Sequence, residues 1–225
     1  MAGRAFEQVL ARLEAQIAAG RLTAGERLPA ERELAAQLGV ARSSVREALR
    51  VLEALGLVET RPGPEHGARL REHPGDGFGE LVRMHLQLRH ATVTDLVAFR
   101  VLVESWASAE AAGRGGSATT NIVLLAEATS NDMLAPDRFV TADADLHVAI
   151  VRAAANPILT LVAEGVRSAM ERSLLERALA DDDWPRPRAW LAGEHIEIAS
   201  LLAAGRGPDA AAALERHIRG FLLSG

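Results

Sequence analysis

The sequence predicts a mostly α-helical protein in two parts: three short helices with a two-stranded hairpin, followed by a bundle of helices. Three observations support this prediction. Apolar residues recur at helical spacing and stop at glycines, two short segments bracket a turn rich in proline and glycine, and the remainder is rich in alanine, a strong helix former. A chain of 225 residues is long enough for one large domain or two small ones.

Three short helices are predicted at the N-terminus. The second begins near Pro29 and ends at Gly39, and the third runs from about Arg42 to Leu55 and ends at Gly56. Proline suits the first turn of a helix, and glycine suits the position just past its end. The first helix ends before Gly20 and carries apolar residues at spacings of three and four: Phe6, Val9, Leu10, Leu13 and Ile17.

A hairpin is predicted directly after the third helix. Its strands are Leu57–Thr60 and Ala68–Arg71, on either side of a turn at residues 62–67. Three short helices followed by a hairpin in about 70 residues form a winged helix-turn-helix, a fold that places its recognition helix in the DNA major groove. Residues 1–72 are therefore assigned to a DNA-binding domain.

The second part of the chain is predicted to be entirely helical. Residues 73–79 are the segment richest in glycine and proline and are interpreted as a linker, which leaves residues 80–225 for the second domain. Proline starts and glycine stops mark several of its helices. The predicted helical segments are 79–90, 94–113, 118–130, 136–155, 158–180, 186–204 and 208–222.

Composition excludes several classes of protein. The longest uncharged stretch has twelve residues, Gly115–Ala126, whereas a membrane helix needs about 20 apolar residues, so a cytoplasmic protein is expected. The absence of cysteine excludes disulfides and thiolate metal sites. The net charge of −5 is unevenly distributed: residues 1–72 carry 11 arginines against 10 acidic residues, and the excess of acidic residues belongs to the second part.

The third helix has one apolar face and one polar face. On a helical wheel Leu49 and Leu52 lie beside Val45, whereas the opposite side carries Ser43, Arg46, Glu47 and Arg50. The polar face begins at the helix N-terminus, where backbone amides also favour phosphate. This arrangement suits a recognition helix in the major groove. The alternative is an ordinary amphipathic helix whose arginines pair with neighbouring glutamates.

The N-terminal 60 or so residues also resemble the DNA-binding domain of the GntR family of bacterial transcription regulators. The resemblance rests on the runs Leu28–Ala35 and Leu38–Leu49, followed by Leu52 and by Leu55–Val58. It implies that three arginines contact operator DNA and that two serines contact phosphates or base edges: Arg32, Arg42 and Arg46, with Ser43 and Ser44. Wing contacts are expected from His66 and Gly67, although this wing is longer than usual and contains an acidic residue.

Four residues of the second domain could together hold a metal ion. Asp143 and His147 are spaced i, i+4 on one predicted helix, so that their side chains project from the same face, and His195 and His217 lie on two later helices. One carboxylate and three imidazoles suit Zn²⁺, Ni²⁺ or Mn²⁺. Spacing alone also fits a surface pair and two structural histidines.

Residues 78–222 resemble the FCD effector domain of the FadR-like subfamily. The resemblance rests on the Asp-x-x-x-His motif, Asn156 after it, the Glu-His-x-x-Ile-x-x-Leu motif and the later Arg-His-Ile. It implies that Asp143, His147, His195 and His217 are metal ligands and that the domain binds an effector. The second domain is also expected to dimerise, since reading two half-sites requires two recognition helices. The segment Gly113–Ser130 departs from the family pattern because it is rich in glycine, threonine and serine.

Two further residues are candidates for effector contact. Arg100 could offer its guanidinium fork to a ligand carboxylate, or it could form a surface ion pair with Glu104, four residues on. Asn156 is either a helix cap or a polar neighbour of the ligand.

The sequence thus predicts a transcription regulator, not an enzyme, that binds double-stranded operator DNA as a homodimer. The resemblance implies repression in response to a small organic acid bound at a divalent transition metal. Two other interpretations remain at this point. The second domain could be a metalloenzyme, although no His-Glu-x-x-His motif supplies a general base, or the metal itself could be the signal.

Overall fold

A computed structural model describes residues 2–61, 67–72, 75–180 and 184–223. The chain divides into two compact units, Met1–Phe78 and Gly79–Gly225. The described residues form ten helices and one two-stranded antiparallel sheet, which confirms the predicted fold class. None of the helices in this part of the chain is long and apolar enough to cross a membrane.

The first unit contains three helices and the sheet. The helices are α1 (Ala2–Ala18), α2 (Glu31–Leu38) and α3 (Arg42–Ala54), and the strands are β1 (Val58–Arg61) and β2 (Gly67–Leu70). The strands pair in a register that sets Val58 opposite Leu70. Their core is formed by aliphatic side chains from all three helices and β1, including Val9, Leu13, Leu34, Val45, Leu49, Leu52 and Val58.

The turn between α2 and α3 is built around Gly39. Gly39 adopts a left-handed backbone conformation with φ of 63°, which glycine reaches without the steric cost that a Cβ would add. Ala41 is then extended, and α3 begins at Arg42. The glycine therefore ends α2 and starts the tight turn that sets the direction of α3.

The second unit is a helical bundle. Its helices are α4 (Gly75–Gln87), which starts just before the unit boundary, α5 (Val93–Arg114), α6 (Ser117–Thr129), α7 (Pro136–Ala153), α8 (Pro157–Ala180), α9 (Pro185–Ala203) and α10 (Gly207–Leu223). The largest core cluster joins side chains from α5, α6, α7, α9 and α10, including Val97, Ile122, Leu146, Ile150, Ile198, Leu202, Leu214 and Ile218.

Helix α4 begins at Gly75, four residues before the predicted start, so most of the predicted linker 73–79 is helical. The glycines that suggested a linker have another role here. A Cβ on Gly79 would lie 2.7 Å from the carbonyl oxygen of Gly165 on α8, a separation that real Cβ atoms essentially never show. Gly79 thus allows close helix packing, which outweighs the low helix propensity of glycine.

The segment that departs from the family pattern, Gly113–Ser130, forms a well-packed helix. Gly115 and Gly116 both have positive φ, 58° and 70°, and separate α5 from α6. On α6, Ile122 and Ala126 are fully buried. The two glycines therefore separate α5 from α6, and the apolar residues of α6 still pack into the bundle.

Candidate metal centre and DNA-binding surface

The polar face of α3 is exposed in the first unit. Arg42, Ser43 and Arg46 are exposed, and Ser44 is half-buried. On the opposite face Val45 and Leu52 pack into the core. A helix with arginines and hydroxyls at its exposed N-terminus has the chemistry that a recognition helix requires.

A concave surface beside this helix carries an excess of positive charge, since five arginines and two glutamates, Glu31 and Glu53, line it. Five arginines line it, from α2, α3 and the segment before α2: Arg27, Arg32, Arg42, Arg46 and Arg50. Gly67 of β2 also lines it, and the Arg27 guanidinium approaches Gly67. We refer to the five arginines and Gly67 as the arginine surface. Guanidinium groups bind phosphates and guanine edges in a bidentate manner.

Sequence reasoning did not single out Arg27. Residues 26–28 extend the sheet, since the Leu28 amide donates to the Ala68 carbonyl at 2.8 Å and the Leu70 amide donates to the Glu26 carbonyl at 2.9 Å. This pairing brings Arg27 beside the wing. No local sequence pattern predicts a contact between residues that lie some 40 positions apart in the chain.

Arg46 forms an ion pair with Glu31 of α2, with 3.3 Å between Nε and Oε2. The alternative considered from the sequence paired the arginines of α3 with neighbouring glutamates, whereas Glu31 lies on another helix. Because both side chains are partly exposed, this pair contributes little stability and can be replaced by a phosphate or base contact. His66, predicted as a wing contact, lies outside the described residues, whereas Gly67 lies at the start of β2.

The structure brings Asp143, His147, His195 and His217 together in the second unit. Asp143 and His147 come from α7, His195 from α9 and His217 from α10. One ligand atom from each residue lies within 4.8 Å of every other. All three histidines are buried, so Asp143 and His147 do not form the surface pair that spacing alone allowed. We call these four residues the Asp/His cluster.

The distances within the Asp/His cluster fit a single ion. His217 Nε2 lies 3.2 Å from both His147 Nε2 and His195 Nε2. Asp143 Oδ1 lies 3.1 Å from His195 Nε2 and 3.8 Å from His147 Nε2. Ligand atoms bound about 2.1 Å from one ion lie roughly 3.0–3.4 Å apart in tetrahedral or octahedral geometry. The residues present therefore fit a divalent transition metal.

Each histidine of the cluster is held through its other ring nitrogen. His147 Nδ1 lies 2.5 Å from Glu104 Oε2, His195 Nδ1 lies 3.0 Å from Thr129 Oγ1, and His217 Nδ1 lies 2.9 Å from Glu194 Oε2. The Thr129 hydroxyl donates to the Ala126 carbonyl, so its oxygen accepts from His195. Protonation at Nδ1 leaves each Nε2 with a free lone pair, which is the tautomer a metal ligand needs.

The carboxylates of the site are held in their charged form. Burial alone would raise the pKa of Glu104, but Arg100 and His147 outweigh it and lower that pKa to about 2. The pKa of Asp143 is likewise lowered, since the nearby His147 and His195 outweigh its burial. Burial, with the neighbouring His195 and His147, lowers the pKa of His217 well below its usual value. These shifts favour the carboxylate form of Asp143 and the neutral imidazole form of His217, the protonation states that coordinate metals.

We expect Glu104→Gln to lower the affinity for the metal by about 10- to 100-fold, because a neutral amide orients His147 less firmly than a carboxylate does. Competition of Zn²⁺ against a fluorescent chelator measures this effect. Glu110→Gln, an exposed substitution on the same helix, is the matched control. Equal zinc affinities for the two variants would show that Glu104 does not support the site.

We also expect the metal-free protein to lose stability as the pH falls below about 6.5, the ordinary pKa of His217. In that range His217 binds a proton in the unfolded chain but stays neutral in the folded protein, where its pKa is lower. The free energy of unfolding therefore decreases by up to about 1.4 kcal/mol for each pH unit of acidification. Urea unfolding with a chelator present, at pH 5.5, 6.5 and 7.5, measures the slope. His217→Gln should flatten it, and an unchanged slope would contradict this assignment.

A small cavity lies beside the Asp/His cluster. Its volume is about 20 Å³. Helices α5, α7 and α8 line it with mostly apolar side chains and five polar ones: Arg100, Glu104, Asp143, His147 and Arg167. Arg100 pairs with Glu104 at 2.6 Å, but this is not the surface ion pair considered above, because only 11% and 7% of the two side chains is exposed.

Asn156 takes the first of the two roles considered for it, that of a helix cap. Its side-chain oxygen accepts hydrogen bonds from the backbone amides of Ile158 and Leu159, at 3.2 and 3.3 Å. Asn156 therefore caps the N-terminus of α8, and it is not among the residues that line the cavity. An asparagine directly before Pro157 favours this capping role.

Comparison with known proteins identifies the family. The profile of the bacterial regulatory proteins of the gntR family matches residues 5–64, and that of the FCD domain matches residues 95–220. The chain belongs to the GntR family. This family consists of DNA-binding transcription regulators, so the metalloenzyme interpretation is not favoured.

Individual relatives match over different lengths. The transcriptional repressor NanR of Edwardsiella tarda is 30% identical over 223 residues, which is 97% of this chain and 84% of NanR. The regulator Mce2R of Mycobacterium tuberculosis is 46% identical over 70 residues, so this chain spans only 29% of it. The structure of a GntR regulator from Streptococcus agalactiae covers all of both chains with a TM-score of 0.72 and 21% identity, and therefore shows the same fold.

Proposed function

We propose that this GntR regulator binds operator DNA as a homodimer and acts as a repressor that a small organic acid controls. The acid binds in the second unit, beside a divalent transition metal held by the Asp/His cluster. The regulator would act in the cytoplasm, where bacterial DNA lies. The name of one full-length relative, the transcriptional repressor NanR, supports repression as the direction of control.

The arginine surface supports the DNA-binding part of this proposal. Arg42 and Arg46 would contact base edges from α3, and Arg32 would contact the operator from α2. Ser43 and Ser44, at the start of α3, would bind phosphates or base edges through their hydroxyls. Gly67 allows close backbone approach at the wing, and a contact from His66 stays a prediction.

Two features support a homodimer. One chain supplies one recognition helix, which reads one half-site, and two half-sites are needed for tight operator binding. In the second unit α5 exposes two large apolar side chains one turn apart, Leu102 and Trp106, at 71% and 44%. Apolar side chains exposed at this spacing suit a helix that packs against a second copy.

One connected chain of contacts supports the effector site most directly. Arg100 binds Glu104, Glu104 binds His147, and all three line the same cavity. The cavity of about 20 Å³ holds about one water molecule, so an acid would bind by displacing apolar side chains of the lining. It would then bring its carboxylate to Arg100, whose guanidinium suits bidentate contact. A bound Zn²⁺, Ni²⁺ or Mn²⁺ would supply open coordination positions for a carboxylate oxygen.

A thermal-shift screen of hydroxy, keto and dicarboxylic acids tests this function, with Zn²⁺-loaded protein compared with chelator-treated protein. An effector should raise the melting temperature of the loaded protein only, and Arg100→Met should abolish the shift. Arg114→Met, on the exposed C-terminal end of the same helix, is the matched control. If no acid stabilises the loaded protein, or if Arg100→Met responds as the wild type does, the effector assignment is wrong.

A further inference from the structure

A second arginine lines the cavity, and part of its side chain lacks a partner. Arg167 of α8 places Nη2 3.2 Å from Asp145 Oδ1 and 4.0 Å from Glu171 Oε2. Its Nε is buried and has no hydrogen-bond partner among the described residues. A buried N–H without an acceptor is unfavourable, and a ligand oxygen that enters by displacing lining side chains would remove that cost.

The remaining lining of the cavity is apolar. Eight apolar residues complete it: Phe99, Val103, Ala144, Val148, Ala163, Val166, Met170 and Leu174. Arg100 and Arg167 come from different helices, α5 and α8, and so offer separate polar contacts within this apolar lining. The lining therefore suits an acid whose two polar groups are joined by a short apolar segment.

The charges around the two arginines differ. Arg100 has one close carboxylate, Glu104, and the Asp/His cluster adjoins it, so a metal-loaded centre can accept a negative charge there. Arg167 already faces two carboxylates, those of Asp145 and Glu171. A third carboxylate at Arg167 would be repelled by both. A neutral carbonyl or hydroxyl oxygen can accept from Nε without that repulsion.

We propose that Arg167 is a specificity-determining residue, which selects monocarboxylic acids with a neutral oxygen acceptor at the end away from the carboxylate. Its Nε–H donates to that oxygen, while the carboxylate binds at Arg100 and the metal centre. This proposal rests on the effector function proposed above, because it assigns the second polar contact of the same site.

Matched pairs of acids test the proposal by isothermal titration of the Zn²⁺-loaded full-length protein. Each pair combines a keto acid, whose carbonyl lies away from the carboxylate, with the alkanoate that lacks only the carbonyl oxygen: 4-oxopentanoate with pentanoate, and 5-oxohexanoate with hexanoate. In at least one pair the keto acid should bind wild type about 3- to 10-fold more tightly, the range of one net neutral hydrogen bond. Arg167→Met should reduce that ratio to about one.

Two controls keep the result specific. Arg152→Met removes an exposed arginine that pairs with Glu164 and does not line the cavity, and it should leave the ratio unchanged. Because the ratio compares two ligands on one protein, a general loss of stability does not alter it.

In addition, Glu171→Gln should improve binding of glutarate relative to 5-oxohexanoate, since it removes one of the carboxylates that face Arg167.

The outcomes separate this proposal from the proposed function. If the acids bind but every keto acid keeps its wild-type ratio in Arg167→Met, Arg167 does not select the ligand and the effector function stands. If glutarate binds wild type more tightly than every keto acid, the preference for a neutral acceptor is wrong. If no acid binds the loaded wild type at all, the effector function fails, and the role of Arg167 fails with it.

Discussion

Substituting His195 with alanine should abolish tight metal binding and remove the stabilisation that the metal gives to the second unit. His195 is fully buried, and three helices meet at the Asp/His cluster, so the free energy of metal binding also stabilises the folded unit. At a metal concentration 100 times the dissociation constant, this contribution is about 2.7 kcal/mol. For a unit of this size we expect a melting temperature lower by about 5–10 °C.

Calorimetry with and without Zn²⁺, together with elemental analysis of the purified protein, measures this effect. His85→Ala is the matched control, because His85 is exposed on α4 and contacts His90 rather than the cluster. The first unit contains none of the four ligands, so its own unfolding should not respond to the metal. A protein that binds no transition metal, and whose His195→Ala variant is as stable as wild type, would show that these histidines are only structural.

Arg42→Ala and Arg46→Ala should each weaken specific operator binding by about 1–3 kcal/mol, or roughly 5- to 150-fold, if each arginine makes a bidentate base contact. Both side chains are exposed and lie outside the core of the first unit, so its fold should persist. Gel-shift titration at fixed salt, against the operator and against unrelated DNA, separates loss of specific affinity from loss of charge.

Arg21→Ala provides the charge-matched control for these variants. Arg21 is exposed after the end of α1 and does not line the arginine surface. Its loss should lower operator affinity only slightly and equally for both DNAs, as expected for a long-range charge effect. Wild-type operator affinity in both Arg42→Ala and Arg46→Ala would show that α3 does not read the DNA as proposed.

Helix boundaries were largely predictable from the sequence because local signals determine them. Gly39, Pro136 and Pro157 mark helix ends or starts in the structure as they did in the sequence. The start of α4 was predicted four residues too late, because a non-local contact rather than a local signal determines it. Gly79 lies inside a helix because tertiary packing against Gly165 requires a residue without a side chain, and no local pattern distinguishes that role from a break.

The Asp/His cluster could be anticipated only in part. The spacing of Asp143 and His147 and the resemblance to a known domain nominated the four residues that the structure brings together. The groups that orient them were missed, because Thr129 lies 66 residues from His195, and Glu104 lies 43 residues from His147. Glu194 was adjacent to a nominated histidine, but it contacts His217 on another helix. Such pairs depend on how the helices pack.

The most direct test of the proposed control is whether an acid that stabilises the Zn²⁺-loaded protein also changes operator affinity. We expect the operator dissociation constant to change over the same acid concentrations that raise the melting temperature. By linkage, operator DNA should change the affinity for the acid by the same factor. Arg100→Met should bind the operator normally but no longer respond to the acid. Operator affinity that stays constant at saturating acid would contradict the proposed control of DNA binding.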